Sequence, residues 1–88
     1  MANKVGGELG SMQALKKSLD NNASRATELK NAVRGQLGST VWEGPAATRF
    51  RDAWKSEFEP ALSKLTEALN EAGNEVQRRR DALERAGS

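Results

Sequence analysis

The sequence predicts an all-α protein, an antiparallel two-helix hairpin that pairs into a four-helix bundle dimer. Three observations carry this. Strong helix formers (Ala, Leu, Glu, Lys, Arg and Gln) dominate the 88 residues. Along two long stretches the apolar residues recur at spacings of three, four and seven, the mark of amphipathic helices. Between those stretches lies one short glycine-containing segment that ends at Pro45.

The first helix is expected over about residues 8–37. Val5, Met12, Leu19, Ala26 and Val33 recur every seven residues, and Leu9, Leu15, Ala23, Leu29 and Leu37 widen that row into a stripe. Gly6, Gly7 and Gly10 each weaken a helix by ~1 kcal/mol relative to Ala. They place the start near Ser11, a natural N-cap, with the first residues frayed. Gly35 and Gly38 are expected to stop the helix, because glycine adopts the left-handed conformation common at helix ends.

A turn over residues 38–44 leads to Pro45. Proline at a first helical position loses no hydrogen bond and presets φ, so the second helix begins there and runs to about residue 83. Its stripe includes Phe50, Trp54, Phe58, Leu62, Leu65, Leu69 and Val76. Pro60 falls inside it, removing one backbone donor and crowding the Ser56 carbonyl. The stripe keeps its phase across Pro60, which predicts a kink rather than a reversal of the chain. A short connection makes the two helices antiparallel neighbours. Two helices alone leave one flank of each stripe in water. The stripe residues Leu15, Leu19, Leu29, Phe50, Trp54, Phe58 and Leu65 are therefore the expected packing surface of hairpin and dimer.

Composition removes whole classes of function. The chain has neither Cys nor His. Thiolate metal sites, cysteine nucleophiles, the commonest metal ligand and the usual general base are all missing. No cofactor is implied. The glutamates at 67, 71 and 75 line a helix face as such rows routinely do, and no nucleophile–base constellation emerges. The chain reads as no enzyme. No apolar run reaches the ~18 residues of a membrane span, and no leader-like apolar segment follows Met1.

A pI near 9.3 raises a small basic helical nucleic-acid-binding protein as the alternative. Against it, eight basic and eight acidic residues interleave from Pro45 onward, and no aromatic sits among Arg78, Arg79 and Arg80. Those arginines suit a helix C-terminus, where cations favour the dipole.

The most specific feature lies at the turn. Gly44 lets the backbone take positive φ or lets another helix approach. Trp42 can bury its ring against the hairpin end or a partner helix, with its N–H finding an acceptor. Trp42-Glu43-Gly44, with Pro45 to Phe50 and Trp54 following, resembles the WXG-motif family of small type VII secretion proteins, the early-secreted-antigen-like proteins of actinobacterial type. The resemblance extends to length and hairpin. It implies a dimer with itself or with a paralogous WXG-type protein. It also implies export of the folded dimer from the cytoplasm without a cleavable signal peptide, and engagement of the type VII secretion ATPase. The implied role is secreted effector or export partner. The interleaved charges argue for no nucleic acid as partner, and the Ala-rich stripe with its mixed-sign polar face argues for protein contact and no stable membrane insertion. The family's export signal, a Tyr followed four residues later by an acid, has no Tyr here. Gln77 with Asp81 is the nearest match, and Asp81 the one candidate residue.

Overall fold

The computed structural model describes residues 2–87, all but five of them (40–44) helical. Helix α1 (Ala2–Ser39) is followed by α2 (Pro45–Ala53), a π turn (Trp54–Phe58) and α3 (Glu59–Gly87). Helix α3 packs back along α1 as an antiparallel hairpin. The hairpin is a rod of 65 × 17 × 14 Å with a radius of gyration of 19.4 Å. A compact chain of this length would have ~12 Å. The shape alone says that little is enclosed.

Two helix ends differ from the sequence expectation. Helix α1 runs straight through Gly6, Gly7 and Gly10 from Ala2, so Ser11 lies inside it and not at its N-cap. Pairing overrides local propensity: Leu9 and Met12 are half-buried, and Glu8 reaches Arg79 of α3 at 4.0 Å. At the other end α1 passes Gly35 and Gly38 to reach Ser39. Neither glycine has positive φ; among the described residues only Gly44 does. Hydroxyls take over the capping. Ser39 Oγ donates to the Gly35 carbonyl at 3.1 Å, and Thr40 donates to the Gln36 carbonyl from both its N–H (3.0 Å) and its Oγ1 (2.5 Å).

Pro60 neither breaks the helix nor reverses the chain. The backbone widens just before it, and the Glu59 N–H closes the π turn onto the Trp54 carbonyl. An extra residue in the turn is one of the recognised ways a helix accommodates a local conflict.

The seam between α1 and α3 follows an unbroken alternation of three and four. On α1 it uses Leu9, Met12, Lys16, Leu19, Ala23, Ala26, Lys30, Val33 and Leu37, all half-buried or buried. On α3 it uses Glu59, Leu62, Thr66, Leu69, Gly73, Val76, Arg80 and Leu83. (Val5, first of the predicted row, lies outside the residues whose side chains are described.) One register holds throughout: a methyl on Gly73 would meet Asp20 Oδ1 at 3.0 Å, Lys30 Nζ donates to Ser63 Oγ at 3.2 Å, and Arg34 grips Glu59. Steps of ten and four up α1 match steps of ten and four down α3.

The seam is only half apolar. Every second position on α3 is Glu59, Thr66, Gly73 or Arg80, and α1 contributes Lys16 and Lys30. Among the described residues the buried hydrophobic ones are three alanines, Ala23, Ala26 and Ala47. The large apolar side chains sit one step to one side. Leu15 and Leu29 on α1, and Phe58 and Leu65 where the π turn runs into α3, are 44–53% exposed. In an antiparallel pair these flanking positions share a face. The Glu8–Arg79 contact, between two residues of the same two rows, shows that they do. The opposite flank carries Gln13, Asp20, Thr27 and Arg34 against Ser63, Asn70, Gln77 and Glu84, polar throughout. The hairpin is two-faced, and Leu19 lies in the seam while Leu15, Leu29 and Leu65 line the open face.

At the polar side of the π turn, Arg34 forms a two-pronged pair with Glu59, Nε to Oε1 at 2.6 Å and Nη2 to Oε2 at 3.1 Å. The Trp54 indole N–H donates to the same Oε1 at 2.9 Å. These bonds, Arg34 first, hold the Glu59 carboxyl below the usual carboxylate range, and the pairing raises Arg34. A depressed carboxyl favours the folded state above its unfolded pKa of ~4.3 and loses that contribution as pH falls through the lower folded value. We expect the thermal midpoint, followed by far-ultraviolet circular dichroism, to drop between pH 5 and pH 3. The drop should be smaller in Glu59→Gln; an equal drop in both proteins would show that the clamp does not contribute.

Candidate functional site: the hairpin tip and the open face

The tip is built by three residues with separate tasks. Gly44 stands at φ 110° and ψ 174° as the N-cap of α2, a conformation essentially confined to glycine. No atom lies within 4 Å of where its Cβ would be, so the demand is conformational and not steric. Its carbonyl accepts the Thr48 N–H at 3.1 Å, opening the helix behind Pro45.

Arg51 ties the turn together. Its Nη1 donates to the Trp42 carbonyl at 2.6 Å, and Nη2 donates to the carbonyls of Leu37 and Thr40, each at 3.1 Å. The last carbonyls of a helix lack internal partners and carry the negative end of its dipole. A planar cation with several donors suits them, and a lysine ammonium would not span three. The guanidinium carbon also stands 5.8 Å from the Trp42 ring centroid, within cation–π range. Sequence reasoning missed this residue. The signal was there: Arg51 shares the inward phase of Ala47 and Trp54, an odd place for a cation unless acceptors wait there.

Trp42 itself is 41% exposed and Val41 92%. The hairpin does not bury the indole, and the N–H acceptor expected for Trp42 belongs instead to Trp54, through Glu59. Trp42 begins an aromatic row: its ring lies 6.0 Å from Phe50, Phe50 lies 6.3 Å from Phe58, and Phe58 lies 6.3 Å from Trp54. Such tilted pairs add modestly to area burial. Near it on α1 an open recess of about 370 Å³ is lined by Ala32, Val33, Gln36, Leu37 and Thr40. Half-buried Trp54 faces inward; Phe50 and Phe58 continue the open face to the tip.

Asp81 is brought to none of this. It lies toward the far end of the rod, half-buried, where its Oδ1 accepts from Gln77 Nε2 at 2.9 Å. Gln77 and Asp81, the nearest match to the expected export signal, are thus bonded to each other. Around them each arginine of the run meets a carboxylate: Arg78 pairs with Glu75, Arg79 with Glu8 at 4.0 Å, and Arg80 with Glu84 at 3.7 Å. No group of three acidic residues among those described could hold a metal ion, and no described helix is long and apolar enough to cross a membrane.

Two substitutions separate the parts of the tip. Gly44→Ala should cost ~1–3 kcal/mol from backbone strain. Arg51→Ala should cost ~1.5–3 kcal/mol from lost charged hydrogen bonds, and Arg51→Lys should restore little of it. Chemical denaturation measures both, and a cost below about 0.5 kcal/mol for either would contradict its assigned task.

Comparison with known proteins agrees with this geometry. No curated protein and no solved structure matches the chain. The model of the WXG100 family, described as proteins of 100 residues with WXG, matches residues 7–88. That span takes in the hairpin, the turn and both rows of the open face. Members are small secreted helical proteins of type VII secretion. With its Trp42-Glu43-Gly44 tip between two long antiparallel helices, the chain belongs to the WXG100 family.

Proposed function

We propose that the protein is a non-enzymatic substrate or co-substrate of a type VII secretion system. It is exported folded, as a pair of helical hairpins joined through the open face, and acts as effector or export partner. The observation that carries this is the displacement of the apolar stripe from the hairpin seam. Leu15, Leu29, Phe58 and Leu65 form a surface that the hairpin makes but does not use. Exposed contiguous apolar surface of this kind marks interaction sites. Family membership supplies the secretion context.

The tip has a separate part in this reading. Trp42 stands out on a turn fixed by Gly44 and Arg51, available to the secretion ATPase or to the partner hairpin. Asp81 is the candidate for an export signal at the other end, with Gln77 in place of the usual Tyr.

The test is export from a host with an active type VII system. Leu29→Lys combined with Leu65→Lys places two cations on the open face and should reduce the protein in culture filtrate at least tenfold. Trp42→Ala should do the same while leaving the helical signal of the purified protein intact. Wild-type levels of secretion for both variants would refute the assignment.

A further inference from the structure

We propose that hairpins of this protein associate edge to edge, the outer side of α1 in one copy lying against the outer side of α3 in the next, through matched rows of opposite charge. The contact uses neither the open face nor the tip, and it stands whether or not the secretion reading does.

Both rows lie on the side of their helix turned away from the seam. Lys17, Asn21 and Arg25 follow at steps of four on α1, all exposed, and Glu67, Glu71 and Glu75 follow at the same steps on α3, also exposed. Asp20, the one acid between the two α1 cations, is taken by Lys16. Lys17, Arg25, Glu67 and Glu71 have no ion-pair partner among the described residues, whereas the seam and flank cations Lys16, Arg34, Arg79 and Arg80 each have one. The hairpin therefore presents a cationic edge and an anionic edge, each largely unanswered within the chain.

The two rows stand at one height. In the seam Asp20 lies beside Gly73, Lys30 beside Ser63 and Arg34 beside Glu59. Counting from these, Lys17, Asn21 and Arg25 come within about one residue, ~1.5 Å, of the levels of Glu75, Glu71 and Glu67. A copy displaced sideways, without turning, sets Lys17 against Glu75, Asn21 against Glu71 and Arg25 against Glu67. The next position outward reverses sign on both helices: Glu28 comes to the level of Lys64, and neither has an ion-pair partner in its own chain.

Like edges repel. Two α1 edges would bring Lys17 and Arg25 together, and two α3 edges would stack the glutamates. Turning the neighbour end over end would set Glu28 against Arg78, which Glu75 already holds, and leave Lys64 facing Ala14. Each copy carries one edge of each sign, so the contact is head-to-tail and repeats from copy to copy. Exposed ion pairs are individually weak, which makes the association dependent on concentration and sensitive to salt.

Sedimentation velocity of the full chain should show a weight-average mass that rises with concentration at about 10 mM salt and falls at least about twofold at about 1 M, as the Debye length shrinks from ~30 Å to ~3 Å. A pair held through the apolar open face persists in high salt, so the two readings fail separately. Lys17→Glu with Arg25→Glu, and Glu67→Lys with Glu75→Lys, should each abolish the salt-sensitive association, and mixing the two variants should restore it. The chain lacks cysteine, so single cysteines report the register. Under a copper-phenanthroline oxidant Ala14→Cys and Arg78→Cys should cross-link only when mixed. A mass indifferent to salt, or charge-reversed variants that associate like the wild type, overturns the contact. Cross-linking of Ala14→Cys to Lys64→Cys in place of Arg78→Cys overturns its orientation.

Discussion

The controlling constraint is an offset. In each long helix the centre of the apolar stripe does not coincide with the line along which the two helices touch. The seam takes Lys16, Lys30, Glu59, Thr66 and Arg80 alongside its leucines and valines, whereas leucine and phenylalanine stand on the flank. Apolar burial is the dominant favourable term in folding, and this hairpin realises only part of what its sequence offers. The slender shape, the alanine-only enclosed core and the two-faced surface all follow from that displacement.

Polar residues in the seam have their own logic. Arg34 with Glu59, Lys30 with Ser63 and the tight passage of Gly73 beside Asp20 fix one register without slip. Leucines alone would tolerate a shift by one heptad; these pairs would not. The arrangement gives register to the inner seam and leaves apolar area to the outer face.

Much of this was legible in the sequence. The two helices, the turn and the amphipathic stripe follow from spacing; for Gly44 the sequence offers positive φ or close approach of a helix, and the structure shows the first. Local rules failed where tertiary pairing outweighed them. Three glycines near the N-terminus did not delay α1, because α3 lies opposite. Gly35 and Gly38 did not end it, because Ser39, Thr40 and Arg51 serve its last carbonyls. The π turn was unreadable, since Pro60 announces a conflict and not its resolution. The split of the stripe into seam and face needed the register, which rests on cross-helix pairs that periodicity alone does not identify. The tasks of Arg51 and of the Trp54 indole depended on where distant acceptors would lie.

The three carbonyls held by Arg51 have one more implication. They belong to residues 37, 40 and 42, while the guanidinium arrives from the second helix, on the far side of the turn. The indole at the apex is therefore posed only after the chain has doubled back on itself. Any receptor that grips this apex in its held form distinguishes a closed hairpin from an extended polypeptide of identical sequence, and so checks conformation in the act of recognising a motif.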